Sequence, residues 1–262
     1  VDTIMVGHVS AGALAAVSIG NLYFYNAVVV AMGTLMSLDP LVSQAVGAKD
    51  DVGVTRAIQR GLLLSALLSV PMILLMLPAH TVVTAFRQPA EVIPDAAAYT
   101  QISAGSVFPF LVFVVLRQSL QAVGSTRSIV WTIIASNLLN AALNWVFIFG
   151  HLGSPPMGVR GSAVATLISR WAGTFILLAV AWKELKPHIT RLDPAILDRA
   201  TLWRMTTFGL PIGFQQFMEV CAFAAVGLLM GRFGTEQVAD ALAAVGALPP
   251  VEDRSERLAG DG

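Results

Sequence analysis

The chain has 262 residues with 16 basic and 16 acidic side chains, so its formal net charge is zero. It is 56% hydrophobic and only 12% charged, with a mean hydropathy of +0.73, roughly half the charge that a soluble surface needs. These figures exclude a soluble globular domain, give no reason to expect nucleic acid as a partner, and leave an all-α polytopic membrane protein, since the alternating pattern of a membrane β-barrel is absent.

The chain opens on an apolar stretch, residues 1–7, read as the end of a truncated first span. Six predicted spans follow at 13–38, 57–77, 96–116, 129–149, 161–182 and 206–230. Each has about 20 residues or more, enough to cross ~30 Å of hydrocarbon at 1.5 Å per residue. Gly47-Ala48-Lys49-Asp50-Asp51 and Pro78-Ala79-His80 close the first two, and 150–158, with Pro155-Pro156, reads as a loop. Pro71, Pro109 and Pro211 fall inside spans and predict kinks.

Basic residues set the orientation. Lys49, Arg56, Arg60, Arg117, Arg127, Lys183, Lys186, Arg191, Arg199 and Arg204 collect on one side; Arg87, Arg160 and Arg232 collect on the other. The first group is therefore expected in the cytoplasm, and the chain in a bacterial-type inner (plasma) membrane as a multi-pass protein. The connection 183–204 places Leu185, Ile189, Leu192, Ile196 and Leu197 among charges. That pattern fits a surface-lying segment and a solvated linker equally well.

A weak internal repeat sets Gly7 against Gly231, with His8 against Arg232, Ser10 against Gly234, Leu14 against Val238 and Ala15 against Ala239. Both copies follow a span, and the offset matches six spans, the arrangement of a transporter made of two parallel halves. The chain then divides into a lobe at 1–182, a cytoplasmic linker at 183–204, the first helix of a second lobe at 205–234, and a polar, disordered tail at 235–262. The remainder of the second lobe is expected to be absent.

Glu219 is the only charge between Leu210 and Met230. A carboxylate near the bilayer centre costs roughly 2.5–3.5 kcal/mol on insertion scales, so it is a functional candidate by default. Gln215 and Gln216 precede it by four and three residues, which places them on its helical face. Asp2 is a second carboxylate in an apolar setting. An exchanger needs a group that the driving cation neutralises in one state and the transported cation in another. Asn137, Asn140 and Asn144 share one face of a span, which fits a polar cavity and interhelical hydrogen bonding alike.

Arg170 lies mid-span and should find an acid, Asp2 or Asp39 in sequence terms, or extend to the interface. Asp39, before Pro40, reads as a partly solvated residue at a helix break. Gly209-x-x-x-Gly213 and Gly227-x-x-x-Gly231 fit close helix packing. Phe110, Phe113, Phe149, Phe214, Phe217 and Met218 are candidate cavity aromatics, each more often lipid-facing or core. Cys221, the single cysteine, reads as a small buried hydrophobe. No phosphate-binding loop, zinc spacing or nucleophile–base arrangement is present, so no enzyme and no cofactor are expected.

Several stretches carry a family resemblance. Val1-Asp2-Thr3-Ile4-Met5-Val6-Gly7, Pro40-Leu41-Val42-Ser43-Gln44-Ala45-Val46-Gly47-Ala48, Asn140-Ala141-Ala142-Leu143-Asn144-Trp145-Val146-Phe147-Ile148-Phe149-Gly150 and Gly158-Val159-Arg160-Gly161-Ser162-Ala163-Val164-Ala165-Thr166 resemble motifs of the MATE multidrug and toxin extrusion transporters, NorM-like branch. Phe217-Met218-Glu219-Val220 is similar to that branch's seventh span. The resemblance runs to about Ala239. It implies a two-lobed, twelve-span antiporter that exports small organic cations through the lipid bilayer against entry of Na+ or H+. It implies Asp2 as the first lobe's coupling carboxylate and Glu219 as the second lobe's cation-site carboxylate; Gln215 and Gln216, on the same helical face, can supply carbonyl oxygens to it. It matches Asn140 and Asn144 to a polar stripe near the first-lobe cavity. Asp2 and Glu219 are also the candidate Na+ ligands, and Asn137, Asn140, Asn144, Phe113 and Phe149 together are the candidate substrate cavity. The departures are the missing start of the first span and the missing continuation after Ala239. Two alternatives stay open: a flippase for lipid-linked oligosaccharides, from the same superfamily, and an inactive fragment or scaffold subunit. The oligomeric state is unknown from sequence.

Overall fold

The computed structural model describes residues 2–190 and 193–233, with Ala195 and 223–233 described as backbone only. Among these residues the chain forms helices and no strand: α1 (Asp2–Gly7), α2 (Ala11–Leu35), α3 (Leu38–Gly47), α4 (Asp51–Met76), α5 (Ala79–Ala85), α6 (Ile93–Ala104), α7 (Val107–Ala122), α8 (Thr126–Phe149), α9 (Gly158–Val180), α10 (Trp182–Ile189), a 3₁₀ turn (Pro194–Leu197) and α11 (Arg199–Phe233). Packing divides the chain into two units, Val1–Phe217 and Met218–Gly262. The cavity described below belongs to the first unit. The described part of the second is the C-terminal portion of α11. The repeat partner at 229–239 and the predicted tail lie outside the described side chains.

Local chemistry fixes the helix ends. Ser10, in extended backbone, accepts the Ala13 N–H at 3.0 Å and starts α2. Asp50 accepts the Gly53 N–H at 2.9 Å and starts α4. Each satisfies a donor that the first helical turn leaves without an internal partner. Gly150 ends α8 in the left-handed region, φ +78°, where a residue with no Cβ is favoured.

Among the described residues, four segments are long and apolar enough to cross a membrane: Ala11–Gly47, Asp51–Met76, Thr126–Phe149 and Gly158–Val180. The pair α6 and α7 makes a fifth if taken as one span, bent by 52°. The predicted span 96–116 is thus broken rather than straight. Pro109 has no N–H to return to the carbonyl of Gly105, four residues back, and the break falls at Gly105–Ser106. The predicted span 13–38 also differs. After a short turn at Met36–Ser37 the chain re-enters helix as α3 and carries on to Gly47. The predicted stop at Pro78-Ala79-His80 opens the short helix α5, and Pro71 is absorbed within α4. The last predicted span, 206–230, falls in α11.

Three apolar clusters hold the first unit together. Phe24, Leu35, Leu38, Ile58 and Leu111 join α2, α3, α4 and α7. Val6, Val17, Tyr99, Ile148 and Ala163 join α1, α2, α6, α8 and α9. Leu116, Ile129, Leu177 and Leu185 join α7, α8, α9 and α10. Helices α8 and α9 form the most extensive pair. A methyl group on Gly161 of α9 would meet the Phe147 carbonyl of α8, so the absence of a side chain lets the two backbones touch. Leu67, Val70 and Leu74 on α4, and Trp131, Ile134 and Leu138 on α8, are exposed. Outward apolar side chains of this kind are what lipid solvates.

Within the predicted connection 183–204, α10 packs against α4. His188 of α10 makes a hydrogen bond through Nδ1 with Thr55 Oγ1 at 2.8 Å, and its carbonyl accepts from Gln59 Nε2 at 2.7 Å. Arg56 Nε pairs with Asp193 Oδ2 at 2.6 Å. Leu185 is buried beneath. The start of α4 therefore anchors the segment that follows α9.

Candidate functional site

A cavity of about 540 Å³ opens among α1, α2, α7, α8 and α9. Asp2 and Thr3 of α1 reach it, as do Asn21 and Tyr25 of α2 and Phe110 and Phe113 of α7. Helix α8 contributes Ile133, Ser136, Asn137 and Asn140, and α9 contributes Thr166, Ser169, Arg170 and Gly173.

Asp2 is half-buried and held by two donors from different helices. Asn144 Nδ2 donates to Oδ1 at 2.6 Å and Thr166 Oγ1 donates to Oδ2 at 2.6 Å. Asn144 Nδ2 also donates to Asn140 Oδ1 at 3.1 Å. Asn144 is fully buried, and its Oδ1 has no hydrogen-bond partner among the described residues. Short α1 thus brings a carboxylate to the polar seam of α8 and α9, where an amide and a hydroxyl satisfy it. Tyr99, also fully buried, donates its hydroxyl to Asn21 Oδ1 at 3.1 Å beside the same wall.

Arg170 does not meet the sequence expectation. Among the described residues no carboxylate lies within 4 Å of it. Its guanidinium lies 3.8 Å from the Phe24 ring centre and 5.5 Å from that of Phe110, and Nη1 donates to Ser106 Oγ at 2.7 Å. The broken span explains this. Ser106 stands at the α6–α7 break, and Phe24 and Phe110 pack edge to face at 5.7 Å. Aromatic faces and one hydroxyl replace the acid.

The other candidates divide. Asn140 lies on the cavity wall and Asn144 behind it, and Asn137, exposed, lines the cavity while donating to the Ile133 carbonyl of its own helix at 2.9 Å. Phe110 and Phe113 line the cavity. Phe149 does not; it is at the C-terminal end of α8, its ring 6.3 Å from that of His151. Phe214 and Phe217 on α11 pair with each other at 6.4 Å. Asp39 is exposed in the first turn of α3, and Cys221 is half-buried. On α11, Gln215 and Glu219 are exposed and Gln216 is half-buried. Sequence reasoning passes over Thr166, Asn21 and Ser106. The signal for Thr166 is the polar stripe Ser162, Thr166, Ser169, Gly173 at helical spacing on α9.

Residues 1–146, more than half of the chain, match the MatE family model. The chain belongs to the MatE family. Members of this family are membrane transporters and not enzymes, and this chain is a multi-pass plasma membrane protein. It is 34% identical over 243 residues to the probable multidrug resistance protein NorM of Geobacillus kaustophilus, covering 91% of this chain and 53% of that protein. It is 31% identical over 245 residues to the probable multidrug resistance protein NorM of Rhizobium meliloti, covering 91% and 51%. The fold matches the eukaryotic MATE transporter AtDTX14 with a TM-score of 0.78 at 21% identity, covering 88% of this chain and 51% of that one. An outward-facing MATE transporter of the MOP superfamily matches with a TM-score of 0.71 at 23% identity. The chain spans about half the length of the curated relatives it matches.

Proposed function

We propose that the chain forms one lobe of a cation-coupled antiporter that exports small organic cations by alternating access, with Asp2 as its coupling carboxylate. The observation that carries this reading is the seat of Asp2: a half-buried carboxylate on a cavity wall, held by Asn144 and Thr166 from two helices. The relatives named as multidrug resistance proteins support the export of drugs.

The seat suits a group that changes charge. As a carboxylate, Asp2 accepts from an amide N–H and a hydroxyl. As a carboxylic acid it must donate. The Asn144 amide can turn its unpartnered Oδ1 to receive that proton, and the Thr166 hydroxyl can accept as readily as it donates. A Na+ ion would instead draw on the Asp2 oxygens together with the Asn140, Asn144 and Thr166 oxygens, a hard-donor set suited to a hard cation. Tyr25, Phe110 and Phe113 give an organic cation aromatic faces in the same cavity. Glu219, with Gln215 and Gln216, is the second proposed coupling site, and Asn137 and Asn140 are proposed cavity residues.

The test is displacement of ethidium from the full chain reconstituted in lipid nanodiscs. Protons or Na+ should displace the dye from the wild type, and Asp2→Asn should bind the dye without ion-dependent displacement. Displacement that survives Asp2→Asn would remove the role assigned to Asp2. The ion that acts identifies the coupling partner.

A further inference from the structure

The end of the bundle that carries α10 is shaped to meet a charged leaflet. We infer that α10 and the start of α8 form a docking surface for an anionic phospholipid of the cytoplasmic leaflet. The headgroup meets Arg127, Lys183 and Lys186, and an acyl chain lies along the outer face of α8. The surface is independent of what the cavity carries.

The first observation is how α10 is held. It starts at Trp182, directly after α9 ends at Val180, so it sits where a span leaves the hydrocarbon. Leu185 is buried and Ile189 packs beside it in the cluster shared with α7, α8 and α9, and His188 bonds Thr55 of α4 at 2.8 Å. These contacts fix the roll of α10 and leave Trp182, Lys183 and Lys186 exposed. Tryptophan beside lysine at the mouth of a span is the composition of the membrane interface.

The second is the register of α8. Arg127, Trp131, Ile134 and Leu138 recur at spacings of four, three and four, so they share one face, and all four are exposed. Ile129 and Thr132 are buried on the other side of the helix. At 1.5 Å per residue the stripe is about 16 Å long, which is one leaflet of a ~30 Å hydrocarbon core. With Leu138 at the midplane, Arg127 reaches headgroup level and Trp131 lies one turn inside it. An apolar stripe of that length is of no use to a free phosphate, so the occupant is a lipid.

The third is charge. Ser125 Oγ lies 3.5 Å from Glu184 Oε1, and Ile129 of α8 shares a cluster with Leu185 of α10, so the two helix starts are neighbours. Across α10 and the first turn of α8, Arg127, Lys183 and Lys186 stand against one acid, Glu184. None of the three makes a salt bridge among the described residues. A zwitterionic headgroup brings no net charge to answer them. An anionic one gains about 5-fold in binding for each basic residue near it.

The test uses the full chain in detergent with phosphatidylglycerol or phosphatidylcholine brominated on one acyl chain. Binding is read as quenching of tryptophan fluorescence at low salt. The wild type should bind phosphatidylglycerol at least about 10-fold more tightly. Arg127→Gln with Lys183→Gln should lower that ratio by at least about 5-fold. Arg87→Gln with Arg160→Gln removes the same charge from the other end of the bundle and should leave the ratio within about 2-fold. Raising the salt to about 1 M, where the screening length is about 3 Å, should remove most of the preference in the wild type. Trp131→Phe with Trp182→Phe should abolish the selective quenching, because those two rings line the surface. Equal binding of the two lipids by the wild type overturns the inference. So does an equal loss in both charge pairs, selective quenching that survives without Trp131 and Trp182, or displacement of the lipid by equimolar inorganic phosphate.

Discussion

Asn144 donates to Asp2 at 2.6 Å while its own carbonyl oxygen is buried with no partner among the described residues. The amide therefore holds the carboxylate of α1 against α8 through Nδ2, which also donates to Asn140 Oδ1, and Thr166 holds it from α9. A double-mutant cycle with Asp2→Asn and Thr166→Val should give a coupling of about 0.5–2 kcal/mol in the thermal stability of the purified chain, the range for polar contacts inside membranes. Additive effects would mean that the Asp2–Thr166 contact contributes nothing to stability.

Gly209 and Gly213 lie on the face of α11 that meets α2. A methyl group at Gly209 would run into the backbone of Thr34, and one at Gly213 into the carbonyl of Val30. Neither obstacle is a side chain that can swing aside. Gly209→Ala or Gly213→Ala should each lower stability by about 1–3 kcal/mol, the usual cost of forcing atoms into a packed contact. Thermal unfolding in detergent checks this, with exposed Gly47→Ala, whose methyl would meet nothing within 4 Å, as the comparison.

His188 predicts a pH dependence. Burial against the start of α4 holds its pKa below the ordinary histidine value, with the Asp51 charge opposing in part. Thr55 gives its only hydroxyl proton to the Asp51 carbonyl at 2.8 Å, so His188 Nδ1 donates to Thr55 in the neutral ring. Folding thus favours the neutral form. This contribution is fully present above about pH 6.5, the value in the unfolded chain, and is lost progressively as the pH falls below it. The midpoint of thermal unfolding should drop between pH 7.5 and pH 5, and His188→Asn should flatten that part of the profile.

Gly150→Ala should also be destabilising, by about 1–2 kcal/mol, because L residues with a Cβ are strained at positive φ. Here φ is +78°, and the added methyl would lie 2.7 Å from the Pro156 nitrogen. Substitution at Gly124, also at positive φ but facing open space, isolates the conformational part of that cost.

The long spans were legible because a run of apolar residues admits few other fates, and the chain's low charge pointed the same way. Asp2 was legible for the same reason: a carboxylate among apolar residues stands out. Its partner Thr166 was not, since hydroxyls in helices commonly bond their own backbone, as Ser169 does here to the Ala165 carbonyl at 2.7 Å. Arg170 was legible as a problem but not in its solution. Its partners, Ser106, Phe24 and Phe110, come from two other parts of the chain and combine only when the helices pack. Phe149 shows the reverse: adjacency to the asparagine stripe in sequence does not put it on the wall of this cavity, because the helix rotates it to another face and ends there. The bend near Pro109 was expected, while its exact seat at Gly105–Ser106 depended on which hydrogen bonds the neighbouring helix could replace.

Those replacements come from α9. Trp171 Nε1 donates to the Gly105 carbonyl at 3.2 Å, the acceptor that Pro109 leaves without a helical donor. Thr174 Oγ1 donates to the Pro109 carbonyl at 2.8 Å, and Arg170 donates to Ser106. One missing N–H in a bent span thereby sets the rotation of the next helix over, since three residues within five positions of α9 are keyed to it. A proline that touches neither the carboxylate nor any ion acts as the index mark against which the cavity's one guanidinium is aimed.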